Sequence, residues 1–183
     1  MGKRMTFKQT VKTIRADTKL MVHPLATKPY QIYCEYLDMN LMSPSSLPMS
    51  KKTPLFEVIL VRSHYLFFED FAQVSILGDK DLISVRRVNL TKVEIERRAW
   101  SWLFEAFISI EPINPDIYDV IKNTIPKHIE NYLFAGILTI EQVLRHKNLK
   151  RYHFDYQRSK QPIHCHKLPS FADLIQQVRY DGH

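Results

Sequence analysis

The sequence predicts an α+β protein in which helices flank an antiparallel sheet. Three observations carry this expectation. β-branched and aromatic runs concentrate between residues 55 and 90, capped helical segments between 114 and 147, and a strand-like pair precedes a last helical stretch at the end of the chain. Strands grouped first and helices grouped after them point to segregated rather than alternating elements. A length of 183 residues, with 45% apolar and 25% charged side chains, suits one folded domain with a real core behind a short arm.

Residues 5–19 read as a short amphipathic helix. Phe7, Val11 and Ile14 fall on one stripe at i, i+4, i+7, with Lys8, Lys12, Arg15 and Lys19 beside it. Residues 28–42, "KPYQIYCEYLDMNLM", are apolar and aromatic and fit helix or strand. "SPSSLPMSKKTP" over 43–54 has linker composition. The chain therefore divides into a basic helical arm (1–42), a linker (43–54) and an α+β domain (55–183).

In "LFEVILVRSHYLFFEDF" the succession Val58, Ile59, Leu60, Val61 has the character of a buried strand. Residues 73–90 predict a hairpin, two β-branched runs flanking Gly78-Asp79-Lys80-Asp81, with Arg86 on one strand face and Arg87 turned to solvent. Four Gly against ten Pro argue against many two-residue hairpin turns. Thr91 and Glu94 have capping-box spacing, so 92–104 is read as helix, while the alternation from Trp100 onward leaves a strand open for 100–110.

Asn114-Pro115 opens a short helix, "PKHIENYLFAG" supplies a second that stops at Gly136, and Thr139 with Gln142 caps a third. "RYHFDY" and "PIHCHKL" read as a late strand pair and "SFADLIQQVRY" as a last helix.

A net charge of +7 and a pI near 9.4 favour an anionic partner: a nucleic acid, an anionic lipid, an acidic protein surface or a small carboxylate. No run of about 18 apolar residues offers a membrane span, and no apolar stretch behind Lys3 and Arg4 suggests a secretory signal. Two cysteines, Cys34 and Cys165, do not make a disulfide framework and fit a reducing, cytoplasmic setting. No cofactor is expected, because neither a GxGxxG nor a GxxxxGK[ST] pattern occurs.

Three constellations bear on chemistry. His164 and His166 would share a strand face and Cys165 would oppose them, so the three side chains cannot ligate one ion together and no metal site is expected. The same geometry denies Cys165 a histidine base among its neighbours. Arg145, Lys147, Lys150, Arg151, Arg158 and Lys160 are interleaved with Tyr152, Phe154 and Tyr156, a composition suited to single-stranded nucleic acid. Read as a strand, the three aromatics would equally make a core face.

"LISVRRVNL", "SWLFEAFISIEP", "HIENYLFAGILT" and "RYHFDYQRSKQPI", in this order, resemble the chorismate pyruvate-lyase family, whose fold is shared with the UTRA ligand-binding domains of bacterial regulators. The resemblance spans residues 73–170. It implies a sealed pocket for an aromatic carboxylate, with Arg86 on the ligand carboxylate, Ala106 at the position of the family's strand serine, and 132–134 closing a layer over the pocket. The family's glutamate would fall at Leu168, where the carboxylate is missing. The expectation is therefore a non-catalytic binding module for a small aromatic carboxylate or an acidic protein partner. The alternatives are an active lyase using Glu105 as its acid or base, and a basic subunit of a nucleic-acid-associated assembly.

Overall fold

The structure is a computed structural model and describes residues 11–15, 20–37, 54–78 and 81–160. Five strands, β1 (Val11–Arg15), β2 (Leu20–Val22), β3 (Leu55–Val61), β4 (His64–Phe67) and β5 (Leu82–Arg87), form one sheet in the order β1-β5-β3-β4-β2. Among the described residues seven α-helices accompany it: α1 (Thr27–Ile32), α2 (Phe71–Ser75), α3 (Lys92–Ser109), α4 (Pro115–Thr124), α5 (Lys127–Phe134), α6 (Ile140–Lys147) and α7 (Arg151–Lys160). The α+β class holds, but the sheet is mixed: β1/β5 and β3/β4 are antiparallel, whereas β3/β5 and β2/β4 are parallel.

That parallel pairing explains why residues 73–90 do not form a hairpin. β5 runs in the direction of β3, so the chain leaving β4 must cross the sheet, and parallel neighbours require such a crossover. The crossing segment holds α2, where Phe71 and Val74 face inward at a spacing of three residues. The 73–77 run is thus apolar at helical period, not at strand period.

The described part of the predicted N-terminal helix is also a strand. Residues 11–15 lie antiparallel on β5, with Ile14 opposite Ile83 and Val11 opposite Arg86. The open hydrogen-bonding edge of β5 outweighs a local apolar period that, in the described residues, sends Ile14 alone against the core. The arm thereby supplies both edge strands, β1 and β2. The described part of the 28–42 stretch, residues 28–37, is helix: α1 runs on into a π turn at Tyr33–Leu37, and residues 38–42 lie outside the described residues. The linker over 43–53 lies outside the described residues.

β3 and β4 meet in a two-residue turn, Arg62-Ser63, because Val61 pairs with His64. Arg62 takes the positive φ of 55° that such a turn demands at its first position, in a chain with little glycine. α5 likewise stops on Ala135 at φ 51°, one residue before Gly136.

α3 is the spine of the molecule. Thr91 and Glu94 form the predicted capping box, the Thr91 hydroxyl accepting from the Glu94 amide and the Glu94 carboxylate from the Thr91 amide. Ile95, Ala99, Trp100, Leu103, Phe104 and Phe107 then recur on one buried stripe. Helix therefore continues through 100–109 and no strand forms there. Around this stripe the buried faces of α4, α5, α6 and α7 collect in one apolar cluster, while Phe56, Val58, Ile83 and Val85 make a second cluster on the sheet.

α7 replaces the predicted strand at "RYHFDY". Phe154 is fully buried against Tyr118, with ring centroids 5.6 Å apart, but Tyr152 and Tyr156 are 62% and 55% exposed. The aromatic alternation is therefore not a core face. "PIHCHKL", "SFADLIQQVRY" and Leu168 lie outside the described residues.

Phe107 is completely buried in the last turn of α3. Replacing it with alanine is expected to cost about 3–5 kcal/mol, read by urea denaturation, whereas Tyr152→Ala is expected to stay within about 0.5 kcal/mol. A loss at Phe107 no larger than at Tyr152 would contradict the placement of the core.

Candidate functional site

Arg86 projects from β5 on the face opposite Val85, directly beside Glu57 of β3 in the parallel register. Its Nη2 donates to Glu57 Oε1. The other oxygen of Glu57 accepts from Arg98 Nη1 at 2.7 Å, and Arg98 reaches from α3 to grip Glu69 with a two-pronged fork, Nε at 2.9 Å and Nη2 beside it. The Arg98 guanidinium also lies 5.0 Å over the ring of Phe68. Two guanidiniums and two carboxylates thus bridge β5, β3, the 68–70 turn and α3. Arg86 Nε is buried without a hydrogen-bond partner among the described residues.

The network is electrostatically uneven. Burial pushes Glu57 up, but hydrogen bonds from Arg98 and Arg86 outweigh it and hold the carboxyl below its usual range. At Glu69 burial dominates even against Arg98, and the pKa is raised. Asp70, which heads α2 at a positive φ of 59° and accepts a hydrogen bond from Trp102, is raised for the same reason. Glu57, Glu69, Asp70 and Arg98 were not singled out by sequence. The legible signal was Glu57 itself, a carboxylate inside an apolar strand run, which must find a cationic partner when half-buried.

The other residues highlighted by sequence do not join Arg86 in a pocket among the described residues. Glu105 is exposed on α3 and accepts from the Ser101 hydroxyl at 3.3 Å. Ala106 is half-buried on the same helix, against the apolar cluster. In the 132–134 stretch, Tyr132 is exposed under the guanidinium of Arg97, and Phe134 packs edge-on against Phe104 at 4.7 Å. Arg87 is exposed, as expected. His164, Cys165, His166 and Leu168 lie outside the described residues, and no group of three potential metal ligands occurs among the described ones.

A second surface gathers on α6 and α7. Residues 140–160 hold six Lys and Arg against two acidic residues, Glu141 and Asp155. Arg151 is tied to both, and Arg158 to Asp119 of α4. Arg145, Lys150 and Lys160 form no ion pair among the described residues. Tyr152 and Tyr156, one helical turn apart, stand on the same side of α7. Tyr152 stacks on His153 with centroids 4.0 Å apart, and Lys160 Nζ lies 4.4 Å over the ring of Tyr156. The face is held in place by Lys147, whose ammonium donates to the carbonyls of Ile108 and, at 2.7 Å, Ile110 at the C-terminus of α3.

Comparison with protein-family models, curated proteins and solved structures gives no match for this chain. No helix among the described residues is long and apolar enough to cross a membrane.

Asp70 binds its proton more tightly in the folded than in the unfolded chain. Its contribution to stability is therefore full below the ordinary aspartate pKa of about 3.9 and is lost as pH rises through the higher folded value. Asp70→Asn tolerates the left-handed backbone and is expected to gain stability relative to the parent between pH 4 and pH 7. Urea denaturation at the two pH values checks this, and a variant that loses ground at pH 7 would contradict it.

Proposed function

We propose that this chain is a non-catalytic binding module that engages single-stranded nucleic acid through the α6–α7 face. The observation that carries the reading is the pairing of two exposed tyrosines, Tyr152 and Tyr156, with Lys160 on one side of α7, where Lys160 forms no ion pair among the described residues, and with Arg145 and Lys150 in the segment that precedes it. Cationic side chains neutralise phosphates and release counterions, while aromatic rings stack on bases of any identity. The +7 charge of the chain supports the same partner class. That the module is non-catalytic rests on Leu168, which stands where the chorismate lyase resemblance implies a glutamate.

A second reading keeps the small aromatic carboxylate at Arg86, in a chorismate lyase or UTRA-like setting. It is favoured by the buried Nε of Arg86, a donor with no hydrogen-bond partner among the described residues, which a ligand oxygen would satisfy once a side-chain shift exposed it. Against it, a ligand carboxylate must displace or share the Nη2 contact of Glu57. Here 4-hydroxybenzoate is expected to bind the parent and not Arg86→Ala, by calorimetry, with both proteins folded by circular dichroism. Equal heats would remove this reading. An active lyase would instead release pyruvate from chorismate and lose turnover in Glu105→Gln.

For the leading reading, fluorescence anisotropy with a labelled uridine oligonucleotide is the test. Affinity is expected to fall with salt at a log–log slope of about −0.7 for each phosphate neutralised. Tyr156→Ala is expected to weaken binding by about fivefold or more, from a stacking contribution of about 1–3 kcal/mol. Binding indifferent both to salt and to Tyr156 would refute the proposal.

A further inference from the structure

Beside the proposed strand-binding face lies a cleft of about 410 Å³ between the α3–α4 connection and the α6–α7 pair, lined by Glu111, Ile113, Lys147, Leu149, His153 and Gln157. The size is that of a small-molecule pocket. Two of its polar side chains are uncommitted. The carboxylate of Glu111 and the amide of Gln157 make no hydrogen bond among the described residues. Lys147 spends two of its three N–H groups on the carbonyls of Ile108 and Ile110, which fixes its ammonium and leaves one donor. Glu111 and Lys147, of opposite charge, both line the cleft; burial lowers the Lys147 pKa, and the charge of Glu111 works against that. Ile113 and Leu149 supply apolar wall, and His153 continues outward into its stack with Tyr152.

A carboxylate and an ammonium lining one cleft do not match a bare phosphate, which Glu111 would repel. It matches a planar group with two adjacent donors and a neighbouring acceptor. Among the bases, the Watson–Crick edge of guanine presents that set: the N1–H and N2–H donors face a carboxylate, and O6 faces an ammonium. Unstacked bases of single strands are read on this edge.

We propose that the cleft receives one guanine of the bound strand, with Glu111 accepting from N1–H and N2–H, Lys147 donating to O6 and Gln157 pairing with a remaining polar edge. This rests on the strand-binding reading and adds sequence preference to it. Nothing in the recognition requires a covalent step.

The experiment uses the full chain and uridine oligonucleotides carrying one central guanosine, adenosine or inosine, inosine lacking the N2 amine. Guanosine is expected to bind about tenfold tighter than adenosine, the discrimination of one bidentate base contact, with inosine between them. In Glu111→Gln, an exposed position checked for folding by circular dichroism, the guanosine-to-adenosine ratio is expected to fall toward one. Gln157→Ala serves as a second variant and is expected to reduce the ratio. Equal affinity for all three strands would overturn the guanine assignment and leave the strand-binding reading standing. A preference that persists in both variants would overturn the assignment to this cleft. No binding of any strand would overturn both readings.

Discussion

The grip of Arg98 on Glu57 and Glu69 joins the helical half of the molecule to the sheet. α3 carries that arginine on one side and the apolar stripe from Ile95 to Phe107 on the other. Isolated surface ion pairs contribute little, but this one is fork-shaped, half-buried and shared among three elements. Removing Arg98 would leave two carboxylates with poor solvation, and such orphaned charge is where large destabilisation arises. Arg86 belongs to the same network, so its cationic charge is first of all an internal counter-ion to Glu57.

The binding face depends on the spine from the opposite direction. α7 is located by Phe154 against Tyr118 and by Arg158 on Asp119 of α4. α6 is located by its own capping box, Thr139 with Gln142, and by Lys147 on the carbonyls that end α3. Gln142 further donates to the Phe134 carbonyl at 2.9 Å, and buried Glu130 accepts from the Leu138 amide at 2.8 Å, which fixes the α5–α6 connection. The capping box and the Gln142 and Lys147 contacts satisfy backbone groups left open at helix ends. Tyr152, Tyr156 and Lys160 of α7 are thus presented by a well-anchored support.

Local chemistry was legible where it is self-contained. The two capping boxes, the Asn114-Pro115 helix start and the β3 run are read correctly because cap, period and partner lie within a few residues. Non-local choices were not legible. β1 is a strand because β5 offers it an edge, and the 71–75 segment is a helix because β5 must lie parallel to β3. At α7 the alternation of Tyr152, Phe154 and Tyr156 imitates a strand, but burial of Phe154 alone shows that one residue anchors and two face outward. The basic aromatic composition of this stretch was visible in sequence. The ion-pair engagement of Arg86 was not, since Glu57 lies 29 residues away in the chain.

The central claim is that the anionic partner docks on α6 and α7 while the Arg86 network serves the fold. Titrating the isotope-labelled protein with a uridine oligonucleotide and following backbone amide shifts by NMR tests it most directly. The account predicts the largest shifts at residues 145–160 and around 111–113, with β3 and β5 little changed. Shifts concentrated at Glu57, Arg86 and Arg98, with α7 unmoved, would contradict it.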